Sequence, residues 1–201
     1  MPNIVAPRGF VPSRYLNGSA WNGAFNTYYI PLADANAYSI GDVVKSIVGG
    51  DANGIPSVAK AGGNDTVRGV IVGFVVAGMN IPSLVGTNLD LTIQNVPAVK
   101  AKDYYAMVID DPTMLFEIQD DGAAALTSSA CNKNASFVVT NPTSPRQNSA
   151  STLSAASVAV TAGLALKLIG LAQKPNNAYG VNATWIVRFN QHEFFGFIGG
   201  A

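Results

Sequence analysis

The sequence is poor in the residues that carry most enzyme chemistry. Its 201 residues include one cysteine, Cys131, and one histidine, His192. One cysteine excludes an intrachain disulfide and a cluster of thiolate metal ligands, and we expect Cys131 to be a buried, inert thiol. No Gly-x-Ser-x-Gly nucleophile elbow occurs, so we interpret His192 as an ordinary residue at a strand end. We therefore predict a protein that is not an enzyme and that uses no cofactor.

Charge is also scarce. Asp, Glu, Lys and Arg make up 12% of the chain, about half of the usual share of roughly 25%, and the formal net charge is zero. The basic residues are scattered along the sequence, whereas phosphate binding needs clustered Lys and Arg, so we expect no nucleic-acid partner. A weakly charged surface gives little protection against self-association, which favours a homo-oligomer, either a dimer or a trimer.

Long hydrophobic runs are missing. The longest apolar run, at 70–79, contains two glycines and is far too short to cross a bilayer. Residues 1–5 lack the charged and apolar regions of a signal peptide. We expect no membrane partner and synthesis in a reducing cytoplasm. Apolar residues nevertheless make up 48% of the chain, which is ample for one hydrophobic core.

What the sequence does contain is a series of short strands. Predicted strands at 42–48 and 55–60 flank a glycine-rich hairpin turn. Met114, Phe116 and Ile118 point to one face of a predicted strand, and the residues between them point to the other. Further strands are predicted at 66–76, 89–94, 104–109, 156–161, 164–172 and 183–190. This pattern predicts a single all-β domain, a β-sandwich or β-barrel, with a short helical insertion at 122–134.

Composition divides the chain into three segments. Residues 1–41 carry seven aromatic and only three charged residues, with four prolines, and are predicted to form an extended N-terminal arm. Residues 42–192 form the β domain, and 193–201 form an apolar tail with three phenylalanines. The aromatic side chains of the arm dock either on the domain's own core or on a neighbouring subunit. The tail is expected to be buried in this chain or in a partner.

One concentration of carboxylates stands out, formed by Asp110, Asp111, Glu117, Asp120 and Asp121. Paired carboxylates can hold calcium or act in glycoside hydrolysis. The Asp-Asp-Pro sequence is more typical of a turn, and Glu117 lies on the polar face of its strand. We therefore interpret the cluster as turns and a solvated face and assign no metal site. Paired glycines at 49–50 and 62–63 lack the spacing of a phosphate-binding loop and are interpreted as hairpin glycines.

Short motifs spread in order over nearly the whole chain resemble a family of tailed-bacteriophage head proteins known as cement, decoration or virion structural proteins. The motifs are GFVPSRYLNG (9–18), WNG (21–23), YYIP (28–31), YSIGDVV (38–44), DANGIP (51–56), RGVIVGF (68–74), DDP (110–112), FEIQDD (116–121), LKLIGL (166–171), GVNA (180–183) and VRFNQH (187–192). The family has no catalytic residues to carry over.

The resemblance implies an accessory protein, made in the host bacterial cytoplasm, that binds the outside of a phage capsid. Its partner would be the major capsid protein, and it would stabilise the shell by bridging neighbouring subunits. We expect the arm and the tail to make these contacts, and an edge strand could extend a sheet in a neighbour. The predicted intersubunit contact residues are Phe10, Arg14, Tyr15, Trp21, Phe25, Tyr28, Tyr29, Phe194, Phe195 and Phe197.

Two other functions stay open. A receptor- or carbohydrate-binding tail or fibre domain of a virion would use Trp21 or tyrosine rings beside polar Asn side chains. A β-sandwich hydrolase would need the acidic residues between Asp110 and Asp121 to converge in one cleft, which the alternation around Glu117 disfavours.

Overall fold

A computed structural model of the protein describes residues 3–76, 93–142 and 147–195, and these residues form a nearly all-β fold. The strands, numbered in chain order, are β1 (Val11–Tyr15), β2 (Asn26–Ile30), β3 (Tyr38–Ser39), β4 (Val43–Gly50), β5 (Pro56–Lys60), β6 (Gly69–Val76), β7 (Asn95–Val96), β8 (Tyr104–Ile109), β9 (Met114–Gln119), β10 (Asn134–Ala135), β11 (Phe137–Val138), β12 (Thr152–Leu153), β13 (Leu166–Leu171) and β14 (Thr184–Phe189). The all-β prediction is confirmed. No described helix is long and apolar enough to cross a membrane.

Five strands close into a barrel in the order β2-β5-β4-β6-β8. The β4–β5 connection is built by Asp51, whose carboxylate accepts hydrogen bonds from the backbone N–H groups of Asn53 and Ile55. A parallel pairing of Tyr29 with Ser57 joins β2 to β5 and completes the closure. The barrel interior is filled mainly by Tyr28, Ile30, Val44, Val58, Ile71, Phe74, Ala106 and Val108.

The other main layer is an antiparallel five-stranded sheet in the order β1-β9-β14-β13-β10. Its inner face buries the residues that the alternation in β9 predicted, Met114, Phe116 and Ile118. Phe116 packs against Phe189 with ring centroids 5.5 Å apart. The largest hydrophobic core lies under this face and reaches the ends of the barrel strands β4, β6 and β8.

The first 41 residues do not form a separate arm. Strand β1 pairs with β9 at the edge of the sheet, and β2 is a wall of the barrel. Phe10 is only 1% exposed and packs on Phe137 and Phe189 at ring centroid distances of 5.4 and 5.1 Å. This segment supplies strands and core side chains to both layers.

Two local predictions are also wrong. The segment predicted as helical contains one 3₁₀ turn, Ser128–Ala130, because the backbone of Leu126 pairs with Gly180 instead of with its own preceding turn. The strand predicted at 156–161 is replaced by the 3₁₀ turn Ala155–Ser157 and a single bridge at Ala159. The part of the predicted strand 89–94 before residue 93 lies outside the described residues.

Candidate functional site

The end of the described chain is fastened to the barrel. Beyond the end of β14, the chain pairs with Val67, just before β6. The Val67 N–H donates to the carbonyl of Gln191 and the Val67 carbonyl accepts from the N–H of Glu193, both at 2.9 Å. The Glu193 carboxylate accepts from the backbone N–H and the hydroxyl of Ser46 at 2.7 and 2.6 Å, and it forms an ion pair with Arg68 at 3.2 Å. We call residues 191–195 the C-terminal latch. No periodicity marks it in the sequence, although Glu193 is the single acid in the apolar tail.

The latch presents two phenylalanine rings at the surface. Phe194 is 56% exposed and Phe195 is 46% exposed. The Arg68 guanidinium lies 4.4 Å from the ring centroid of Phe194, and that of Arg188 lies 5.1 Å from the centroid of Phe195. Cation–π contacts and the latch hold both rings in defined positions while leaving about half of their surface open. Phe197, the third predicted contact in the tail, lies outside the described residues.

His192 lies inside the latch and is 1% exposed. Its Nδ1 accepts a hydrogen bond from the backbone N–H of Phe194, and its buried Nε2 has no hydrogen-bond partner among the described residues. Burial lowers the pKa of the imidazole below its ordinary value, because the charged form would be desolvated. His192 is therefore a structural residue of the latch.

Burial removes two residues from the predicted contact set. Phe10 belongs to the core, and Tyr28 is 5% exposed inside the barrel. The Tyr28 hydroxyl donates to Asp110 at 2.5 Å, and burial raises the pKa of this phenol. Both rings are buried inside their own chain, so neither is exposed for contact with another chain.

The other predicted residues of the first segment remain near the surface. Arg14 is exposed, and the rings of Tyr15, Trp21, Phe25 and Tyr29 are half-buried. One side of each ring packs on the protein. Tyr15 and Trp21 pack on the main core, and Phe25 and Tyr29 pack on a small cluster beside the barrel.

A pocket of about 250 Å³ opens between the barrel and the sheet edge. Tyr15 and Phe25 contribute rings, and Asn26, Asp110 and Asp111 contribute polar groups. The Asn26 amide donates to both oxygens of Asp110 at 3.0 Å, which fixes the carboxylate in place. The pocket thus combines aromatic faces with oriented hydrogen-bonding groups.

The acidic residues do not converge in one cleft. Asp110 and Asp111 both lie in the connection that follows β8, whereas Glu117 points from the outer face of β9 and pairs with Lys174. Asp120 is 1% exposed and accepts from the backbone N–H groups of Gly122, Asn182 and Ala183 and from the Trp185 indole.

Burial raises the pKa of the Asp120 carboxyl, and its four donors oppose this effect. Among the described residues, no group of three His, Cys, Asp or Glu side chains could hold a metal ion.

Cys131 is half-buried, so the prediction of a buried thiol is wrong in degree. Its Sγ lies 4.0 Å from the hydroxyl of Tyr179. Neither a histidine nor a carboxylate is among the described hydrogen-bond partners of this thiol, so nothing there activates it as a nucleophile.

The open edges of the five-stranded sheet are blunted. In β1, Pro12 has no N–H to donate, the register shifts before Arg14, and the Tyr15 N–H is taken by the carbonyl of Ser19 at 2.9 Å. At the opposite edge, Asn134 pairs with Ala159 in both directions. These features suppress strand addition, so a neighbour's sheet is not readily extended through either edge.

No family model, curated protein or solved structure matches this chain.

Proposed function

We propose that this protein is a non-enzymatic virion structural protein that binds the outside of a phage capsid and bridges neighbouring major capsid subunits. The observation that carries the proposal is the pair of exposed rings, Phe194 and Phe195, held at the surface by the latch. Adjacent exposed aromatic side chains flanked by arginine are typical of the anchors that dominate protein interfaces. The resemblance of the sequence to tailed-phage head proteins points to the same class.

The physical basis is mass action on the assembled shell. A ligand that binds only the assembled lattice stabilises it by a free energy that grows with the logarithm of ligand concentration relative to Kd, without any chemistry. Contacts to several subunits at once add avidity, so each individual interface can be modest. The half-buried rings of Tyr15, Trp21 and Phe25 offer a second contact area, and two of them line the pocket. A surface with little charge suits burial against other protein copies and favours a homodimer or homotrimer.

The proposal is tested by co-sedimentation with expanded heads stripped of accessory proteins, taken from the phage that encodes the chain. We expect saturation at a copy number that matches a symmetry class of the lattice. The double variant Phe194→Ser/Phe195→Ser should lose binding at least tenfold, because it removes both anchors.

The control is Val160→Ser, which alters a side chain that is 84% exposed outside the latch. It should bind as the wild type does. Unchanged shell binding by the double phenylalanine variant, or wild-type protein found only in virion tails, contradicts the proposal.

A carbohydrate- or receptor-binding virion domain is the second candidate, and the pocket between Tyr15, Phe25 and Asp110 favours it. Aromatic faces beside fixed carboxylate and amide groups suit one sugar residue, whose ring stacks while its hydroxyls donate and accept. On a glycan array, wild-type binding that disappears in Tyr15→Ala but persists in Tyr179→Ala supports this function. Tyr179 is a suitable control because it is 48% exposed and outside the pocket.

A further inference from the structure

Basic residues that are scattered in the sequence meet on one face of the five-stranded sheet. Arg14 in β1 pairs directly with Leu115 in β9, and Lys167 in β13 pairs directly with Arg188 in β14. The β9–β14 register, continued by one residue from Val187 opposite Phe116, places Arg188 beside Leu115. Directly paired residues of an antiparallel sheet share a face. Arg14, Arg188 and Lys167 therefore lie in one row across four strands, on the face opposite the main core, with the buried Leu115 of β9 between Arg14 and Arg188; we call the three basic residues the basic row.

The basic row has no carboxylate to balance it. Glu117 is the one acid within β1, β9, β13 and β14, and it is paired with Lys174. No described carboxylate lies within ion-pair distance of the three row residues. The Lys167 ammonium donates to the backbone carbonyl of Asn132. The described residues thus leave three positive charges uncompensated.

Arg188 is the least satisfied member of the row. Its Nε is buried and has no hydrogen-bond partner among the described residues. Lys167 stands directly opposite it, and like charges directly opposite each other destabilise a strand pair. The exposed ring of Phe195 lies against the same guanidinium. Repulsion within the basic row lowers the stability of the isolated chain, and an exposed aromatic ring lies beside it. This combination is expected of a surface that binds a partner.

We infer that the basic row, with Phe195 at its border, is a docking surface for an acidic segment of a partner protein. Neighbouring strands are about 5 Å apart, so the row presents Lys167 and Arg188 side by side and Arg14 about 10 Å from Arg188. An extended segment with carboxylates at alternate positions offers pairs about 7 and 14 Å apart, and the long arginine side chains make up the difference from 10 Å. Bidentate arginine–carboxylate pairs at Arg14 and Arg188 would fix its position.

Nucleic acid fits this surface less well than an acidic protein segment. Three cations neutralise few phosphates, so the counterion release that drives nucleic-acid binding is small. The inference deepens the proposed function, since on a capsid the partner segment would belong to the shell protein. It names the charge that this segment must carry.

The test uses the full chain and a fluorescein-labelled ten-residue peptide of alternating Glu and Ser, followed by anisotropy at low salt. The variant Arg14→Gln/Lys167→Gln should weaken binding at least tenfold. The control Lys45→Gln/Lys102→Gln changes the net charge by the same amount on the barrel and should stay within twofold of the wild type. Without the peptide, the row variant should be at least as thermally stable as the wild type, because repulsion in the row is relieved.

Three outcomes overturn the inference. They are an undetectable affinity of the wild type for the peptide, equal weakening by both double variants, and tighter binding of a ten-residue oligothymidylate that depends on the row. Wild-type protein that binds the peptide through the row but does not bind stripped heads supports the docking surface and contradicts the proposed function. Head binding without peptide binding contradicts the docking surface alone.

Discussion

The imidazole Nδ1 of His192 accepts a hydrogen bond from the backbone N–H of Phe194 at 3.1 Å. An imidazole that accepts at Nδ1 must be neutral, with its proton on Nε2. Protonation would place a second donor against the Phe194 N–H inside a buried site, which is unfavourable for both charge and geometry. The latch is therefore complete only when this histidine is neutral.

Stability is expected to fall on mild acidification for this reason. The folded pKa of His192 lies below its ordinary value of about 6.5, so the unfolded chain binds more protons in this range. The contribution is present above pH 6.5 and is lost as the pH falls towards the folded pKa. Urea midpoints between pH 7.5 and 5.5 should decrease in the wild type. The variant His192→Asn keeps a hydrogen-bond acceptor that does not titrate, so its urea midpoint should change less with pH. An equal change of midpoint with pH in both proteins would contradict this role of His192.

The buried ion pair between Lys60 and Asp42 is expected to matter far more than the exposed pair between Lys45 and Asp65. The two pairs have similar lengths, 2.8 and 2.7 Å, but Asp42 is fully buried whereas Asp65 is 37% exposed. Lys60→Met should lower the free energy of unfolding by about 3–5 kcal/mol, because it leaves a buried carboxylate without its partner. Lys45→Met should cost less than about 1 kcal/mol. Chemical denaturation measures the free energy of unfolding of both variants. Similar losses in the two variants would contradict the expectation that the buried pair contributes more than the exposed pair.

Asp120 is expected to be the most sensitive of the acidic residues. Its carboxylate satisfies three backbone N–H groups and the indole of Trp185, which tie the end of β9 to the start of β14. Asp120→Ala should destabilise the protein by about 3 kcal/mol or more, because several buried donors lose their acceptor. Asp111→Ala, at an exposed turn, should cost about 1 kcal/mol, because it removes only exposed hydrogen bonds from Thr113. The thermal unfolding midpoints of the two variants are compared. A mild effect of Asp120→Ala would argue against the role of this carboxylate in tying β9 to β14.

Gly69 is expected to tolerate no side chain. A Cβ at this position would lie 2.1 Å from the carbonyl oxygen of Ile109, inside the barrel wall. Gly69→Ala should lower stability by about 1–3 kcal/mol through overpacking. Gly163→Ala, where a Cβ meets nothing within 4 Å, should stay within about 1 kcal/mol of the wild type. Denaturation midpoints that do not separate these two variants would contradict the close approach of β6 and β8.

Alternation of side chains explains what could be predicted from the sequence. The strand from Met114 to Gln119 and those corresponding to β4, β5, β13 and β14 were recognisable because one face of each must be buried. The segment at 156–161 shows the limit of that signal. Val160 in this segment is 84% exposed, so an apolar residue at that position does not indicate the buried face of a strand.

Long-range pairing explains what could not be predicted. The aromatic content of residues 1–41 was plain, but composition cannot tell whether Phe10 fills its own core or a neighbour's. The basic row joins Arg14, Lys167 and Arg188, which are far apart in the chain, and only the strand order and register bring them together. The latch likewise depends on Glu193 meeting Ser46, a contact over 147 positions.

The position of β14 in its sheet also sets the order in which the protein is built. The barrel uses strands between Asn26 and Ile109, so it can close while later residues are still being synthesised. The five-stranded sheet cannot, because β14 lies at its centre, between β9 and β13, and is made after every other strand of the described residues. Until then β9 is paired with β1 alone among the strands of its sheet, and Phe116 lacks its contact with Phe189. The nascent chain therefore emerges from the ribosome with an apolar strand that is unpaired along one edge, and chaperone capture is expected at this stage rather than earlier.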